Sequence, residues 1–80
     1  MAKTYVTFGQ VHRHEIAGEV FDKDCVAVLV HPDDVNGRDL AFDLFGPKFC
    51  FEYDEYEFLH NVSMDYFPRG YISILYNQEN

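Results

Sequence analysis

Eighty residues with fourteen acids, six bases and a net charge of −8 leave room for one hydrophobic core and not for two. That charge repels phosphate backbones, which argues against direct DNA or RNA binding, and it attracts basic partners. Eight Phe and six Tyr, each able to bury about 150–250 Å², supply the core; an enclosed catalytic cleft would compete for the same side chains, so the composition favours a binding protein over an enzyme.

The chain opens directly on strand-like sequence, without the charged and apolar regions of a leader, which predicts a cytosolic protein. No apolar run approaches the length of a membrane span, about 18 residues. Lys3 to Phe8 alternates, with Tyr5 and Thr7 on one side and Thr4, Val6 and Phe8 on the other. After Gly9, the stretch from Val11 to Ile16 alternates again, so the strand either continues past a bulge or a second one begins. Ala17 and Gly18 read as a turn before Glu19, Val20 and Phe21. After the polar break of Asp22, Lys23 and Asp24, the run Cys25 to Val30 is continuously apolar. This predicts a central strand covered on both sides.

A helix is expected between Asp33 and Phe45, with Val35, Leu40, Ala41, Phe42, Leu44 and Phe45 on a broad apolar arc. Asn36, Asp39 and Asp43 form the polar stripe. Asp33 and Asp34 suit the positive end of the helix dipole, while Gly37 weakens the first turn and can shift the start to its own position. Gly46 and Pro47 end the helix. The next strand alternates, with Phe49, Phe51 and Tyr53 facing one way and Lys48, Cys50 and Glu52 the other. Asp54 and Glu57 have the spacing of a capping box, predicting a second helix from Glu55 to Met64 that turns Phe58 or Leu59, Val62 and Tyr66 inward. Phe67 to Gly70 reads as a turn, Tyr71 to Tyr76 as a last strand, and Asn77 to Asn80 as a frayed tail. The expected fold is α+β: a single antiparallel-rich sheet of four to five strands with two helices on one face, in the order β-β-β-α-β-α-β, as one domain.

Cys25 and Cys50 can pair in an oxidising compartment; the cytosolic start favours two buried thiols on strands instead. His12 and His14 share a side if both lie on one strand, and with His31, His60, Glu15 or a cysteine they offer a metal-binding alternative. No second paired-ligand spacing accompanies them, and no pattern requires a cofactor.

The acidic-aromatic run from Glu52 to Phe58 holds four acids and no base. Asp54, Glu55 and Glu57 also stand where a helix start favours acids, so capping and solubility are one reading. The other is a partner-binding face made of Asp39, Asp43, Glu52, Tyr53, Asp54, Glu55, Tyr56 and Glu57. Carboxylates three or four apart on a helix are separated by about 5–6 Å at Cβ, comparable to adjacent phosphates. Such a face can occupy a groove built for nucleic acid, with Tyr53 and Tyr56 as anchors. Exposed strand edges can also pair two copies in a homodimer.

The stretches Thr7, Phe8, Gly9, Gln10, His12, His14 and Tyr66, Phe67, Pro68, Arg69, Gly70 have the look of family signatures. In general character the chain resembles the small phage- and prophage-encoded proteins that disable host defences, anti-CRISPR proteins in particular. Those are commonly single acidic α+β domains of this length, often without a catalytic site. Several occupy nucleic-acid-binding surfaces of CRISPR effector complexes. The resemblance implies a non-enzymatic inhibitor whose partner is the basic surface of a nucleic-acid-handling protein or ribonucleoprotein complex; it carries over no residue role.

Overall fold

Two strands, one alternating and one apolar throughout, set the architecture. The computed structural model describes residues 1–76, so the expected tail at 77–80 lies outside the described residues. β1 (Ala2–Thr7) and β4 (Cys25–His31) form the middle of a four-stranded sheet of order β5-β1-β4-β6, with β5 (Phe51–Asp54) and β6 (Gly70–Leu75) at its edges. Val6, Phe8, Cys25, Ala27 and Leu29 project to one side, where they meet Leu40, Ala41 and Phe45 of α1 (Gly37–Phe45). Tyr5, Val26 and Val28 project to the other, where Phe58 of α2 (Glu55–Asn61) stacks on Tyr5 at 4.7 Å. The apolar run of β4 is thus covered on both sides, as its lack of alternation predicts.

The two helices therefore lie on opposite faces of the sheet and not on one, and the reason is topological. β4 is antiparallel to β1, β1 is antiparallel to β5, and β4 is parallel to β6. Both helices consequently bridge strands of one direction, but α1 leads leftward across the sheet from β4 to β5, and α2 leads back from β5 to β6. Crossovers of one hand that travel in opposite directions place their helices on opposite faces. The same path makes the sheet mixed, with a parallel pair at the β6 edge, where an antiparallel-rich sheet was expected.

The strands β2 (His14–Ile16) and β3 (Glu19–Phe21) form a separate hairpin and do not extend the main sheet. Phe21 from this hairpin packs on Phe8 and Phe45 at 6.0 and 5.8 Å, closing one end of the α1 core. Element order is thus β-β-β-β-α-β-α-β, one strand more than expected. Ala17 adopts a positive φ of 52° at the hairpin tip, followed by Gly18 at 83°, the pair of left-handed residues that a tight hairpin needs.

Several boundaries move. α1 starts at Gly37 with Asn36 as its cap, whose side chain accepts from Asp39 N–H at 3.1 Å. Asp33 and Asp34 sit in the preceding turn and not at the helix dipole. Phe42, expected in the core, is 41% exposed and rests edge-on against Phe49. α2 stops at Asn61, and a separate 3-10 turn, Met64–Tyr66, is capped by Ser63. Val62 remains partly buried, whereas Leu59 and Tyr66 are exposed. Among the described residues no helix is long and apolar enough to cross a membrane.

Candidate partner-binding edge

β5 runs without a linker into α2, so one short segment exposes both a strand edge and a helix start. The last residue of β5, Asp54, is the N-cap of α2. Its Oδ1 accepts from Glu57 N–H at 2.7 Å, and Glu57 Oε1 accepts from Asp54 N–H at 3.1 Å. This closed capping box uses one oxygen of each carboxylate. Both side chains stay exposed.

Glu55, one residue further, lies over the sheet. Its Oε2 accepts from Tyr5 O–H at 3.3 Å and stands 3.9 Å from Lys3 Nζ. Burial, then the Glu55 charge, pushes the Tyr5 phenol above its ordinary value. Tyr56 is 72% exposed and stacks on His60 at 4.0 Å, while His60 Nδ1–H donates to the Tyr56 carbonyl at 2.8 Å. The ring is held in place without being covered.

Glu52 stands opposite Val6 in the β1–β5 register and so faces the α1 side. There it lines a shallow groove of about 300 Å³ with Arg38, Phe42 and Phe49. Asp39 and Asp43 are exposed on α1. The anticipated acidic residues therefore divide across the sheet: Asp39, Asp43 and Glu52 on the α1 side, Glu55 and Glu57 on the α2 side, with Asp54 at the junction. Among the described residues, only Glu55 of these six takes part in an ion pair.

Tyr53, expected as an exposed anchor, is half-buried against Phe58 at 5.7 Å in the α2 core. Burial pushes its phenol above the ordinary value, as do the neighbouring Cys50 and Glu57. The exposed aromatic on this strand is Phe51, 59% accessible. Alternation correctly puts Phe51 on the side of Tyr53, but α2 begins only after Asp54 and does not reach back over the strand's start. An apolar residue at the far end of a strand from its covering helix was the available signal.

The expected placement of His12 and His14 on one strand is not met, because His12 precedes β2. His14 Nε2 donates to the Lys48 carbonyl at 2.6 Å, and its ring packs against Phe45 and Phe8. Among the described residues no three His, Cys, Asp or Glu side chains are grouped to hold a metal ion. His31 is buried, with Nδ1–H donating to the Pro32 carbonyl at 3.0 Å and Nε2 accepting from Thr4 O–H at 2.8 Å. Both cysteines are free; Cys25 is buried, but Cys50 is exposed in a bend ahead of β5 and not on a strand as expected.

Comparison of the chain with protein-family models, with characterised proteins and with solved structures finds no match.

Proposed function

We propose that the protein is a non-enzymatic acidic binding protein that uses the β5–α2 edge to cover the basic, nucleic-acid-binding surface of a protein or ribonucleoprotein complex, as several anti-CRISPR inhibitors do. The observation that supports this is the clustering of Glu52, Asp54, Glu55 and Glu57 beside two accessible aromatic rings, Phe51 and Tyr56, on one continuous segment. Capping explains why Asp54 and Glu57 are acids, but not why Glu52 is, nor why Phe51 and Tyr56 face solvent. Aromatic rings are enriched at the centre of protein interfaces, and carboxylates around them serve to steer a basic partner and fix its register. Asp39 and Asp43 contribute to the field from α1, on Glu52's side of the sheet, and are not required contacts.

Electrostatic steering then makes association fast at low ionic strength and slower as salt rises. The quadruple variant Glu52→Gln, Asp54→Asn, Glu55→Gln, Glu57→Gln tests the reading, because Asn and Gln preserve the cap. With a captured partner, the variant should associate about 10–1000-fold more slowly. Unchanged binding by the variant, or binding insensitive to salt, would reject an acidic interface.

A further inference from the structure

The opposite edge of the sheet has a different chemistry. β6 and the residue after it, Gly70 to Tyr76, contain no charge and no proline, although edge strands are ordinarily protected by lysine, proline or a covering element. Among the described residues, β4 is the only strand with which β6 pairs. The hydrogen bond from Tyr76 N–H to the Val30 carbonyl, 2.8 Å, fixes the parity of that ladder. Ile72, Ile74 and Tyr76 turn their backbone groups toward β4, so Tyr71, Ser73 and Leu75 turn theirs outward. The side chains of these three face the α2 side, in register with Val26, Val28 and Val30. α2 packs over β1 and β5, which leaves Tyr71 48% and Leu75 69% exposed.

We propose that β6 is a homodimerisation edge, at which a second copy of the chain adds antiparallel across a two-fold axis through Ser73. This register matches the strand with itself. Tyr71 meets the partner subunit's Leu75, Ser73 meets the partner subunit's Ser73, and Leu75 meets the partner subunit's Tyr71. All three are outward-facing positions, so each forms the type of pair that exchanges two backbone hydrogen bonds. On the other side of the sheet, Ile72 faces the partner subunit's Ile74. Aromatic–aliphatic and Ser–Ser cross-strand pairs are favourable neighbours. Tyr71 is already fixed edge-on against Tyr5 at 5.9 Å, so its free side is a ready surface for the incoming leucine.

Charge selects this occupant over others. Two chains of net charge −8 repel each other, and β6 is the edge on which their pairing opposes no like charges; β5 would bring Glu52 and Asp54 into the interface. A basic partner finds no carboxylate on β6 to meet. The dimer is a continuous eight-stranded sheet with β5 at both ends, which leaves the acidic edges free, so the dimer and the partner-binding reading stand or fall separately.

Sedimentation equilibrium of the intact chain tests the proposal. The wild type should give the mass of two chains, and association should strengthen with salt as the long-range repulsion is screened. Ser73 is exposed, so Ser73→Asp and Ser73→Lys should fold, which circular dichroism checks. Each places like charges face to face at the axis and should sediment as the single 9.4 kDa chain. An equimolar mixture of the two should restore the two-chain mass. Should either charged variant fail to fold, Leu75→Thr, also at an exposed position, reads the same interface by weaker association. A wild type that stays one chain up to millimolar concentration overturns the proposal, as does a Ser73→Asp variant that remains a dimer. A one-chain wild type whose β6 accepts an extended peptide from another protein overturns it too.

Discussion

At the scale of single residues, the tightest constraint is the approach of α1 to β1. A Cβ on Gly37 would overlap Thr4 Oγ1, which is itself bonded to His31 Nε2. Helix propensity alone would credit Gly37→Ala with a gain of up to about 1 kcal/mol. The overlap reverses the sign, because overpacking at a fixed contact costs about 1–3 kcal/mol; denaturant titration of Gly37→Ala should show a net loss. The thiols differ in the same local way. Cys50 should react with a thiol reagent in the native protein, while Cys25, buried and with its thiol pushed up by desolvation, should react only on unfolding. Equal reaction of both in the native state would contradict the packing of β4. The phenols give a pH dependence whose direction follows from their environments. Tyr5 and Tyr53 both have folded values raised above 10.0, so the unfolded chain ionises first. Their contribution to stability is complete below 10.0 and is lost as pH rises through the raised folded values. Stability should therefore fall as pH rises above 10.0, and Tyr53→Phe should flatten that fall.

At the scale of elements, α2 depends on its cap. A helix of seven residues is too short to persist by propensity, and the reciprocal Asp54–Glu57 bonds together with Phe58 hold it to the sheet. Asp54→Ala should destabilise the protein by about 1 kcal/mol, and Asp54→Asn by much less; an equal loss in the two would show that the charge and not the cap is what matters. This cap was legible in the sequence because Asp54 and Glu57 are local neighbours. So were the alternation of β1 and the two-sided burial of β4. What the sequence did not disclose is what a linear pattern does not encode. The apolar run of β4 requires cover on both sides, but not which helix supplies each. That follows only from the strand order, in which β1 separates β4 from β5. Phe49 was grouped with Tyr53 by alternation, yet the bend at Cys50, whose N–H donates to the Thr7 carbonyl at 2.8 Å, starts the strand afresh at Phe51 and sends Phe49 to the α1 core. The pairing of β6 with β4 likewise joins segments some forty-five positions apart, beyond the reach of local signals.

At the scale of the whole molecule, the two edges of one sheet divide the surface chemistry. β5 is short, acidic and continuous with a helix start; β6 is longer, uncharged and open. The middle strands bury the core on both faces, so the edges are where the chain can present a flat, rigid surface. The acidic residues do not share a single plane: Asp39 and Asp43 stand on one side of the sheet and Glu55 and Glu57 on the other. A partner wrapped around the β5 edge would meet both groups, whereas one docking flat on either helix would meet only half. Capture from bacterial lysate at low salt, with the wild type and the Glu52→Gln, Asp54→Asn, Glu55→Gln, Glu57→Gln variant side by side, tests the acidic edge most directly. The wild type should retain a nucleic-acid-handling protein or ribonucleoprotein, release it as salt rises, and compete with nucleic acid for it, while the variant retains none. Equal capture by the two proteins, or capture of a partner that holds its nucleic acid undisturbed, would contradict a role for the β5–α2 edge as a cover for a basic surface.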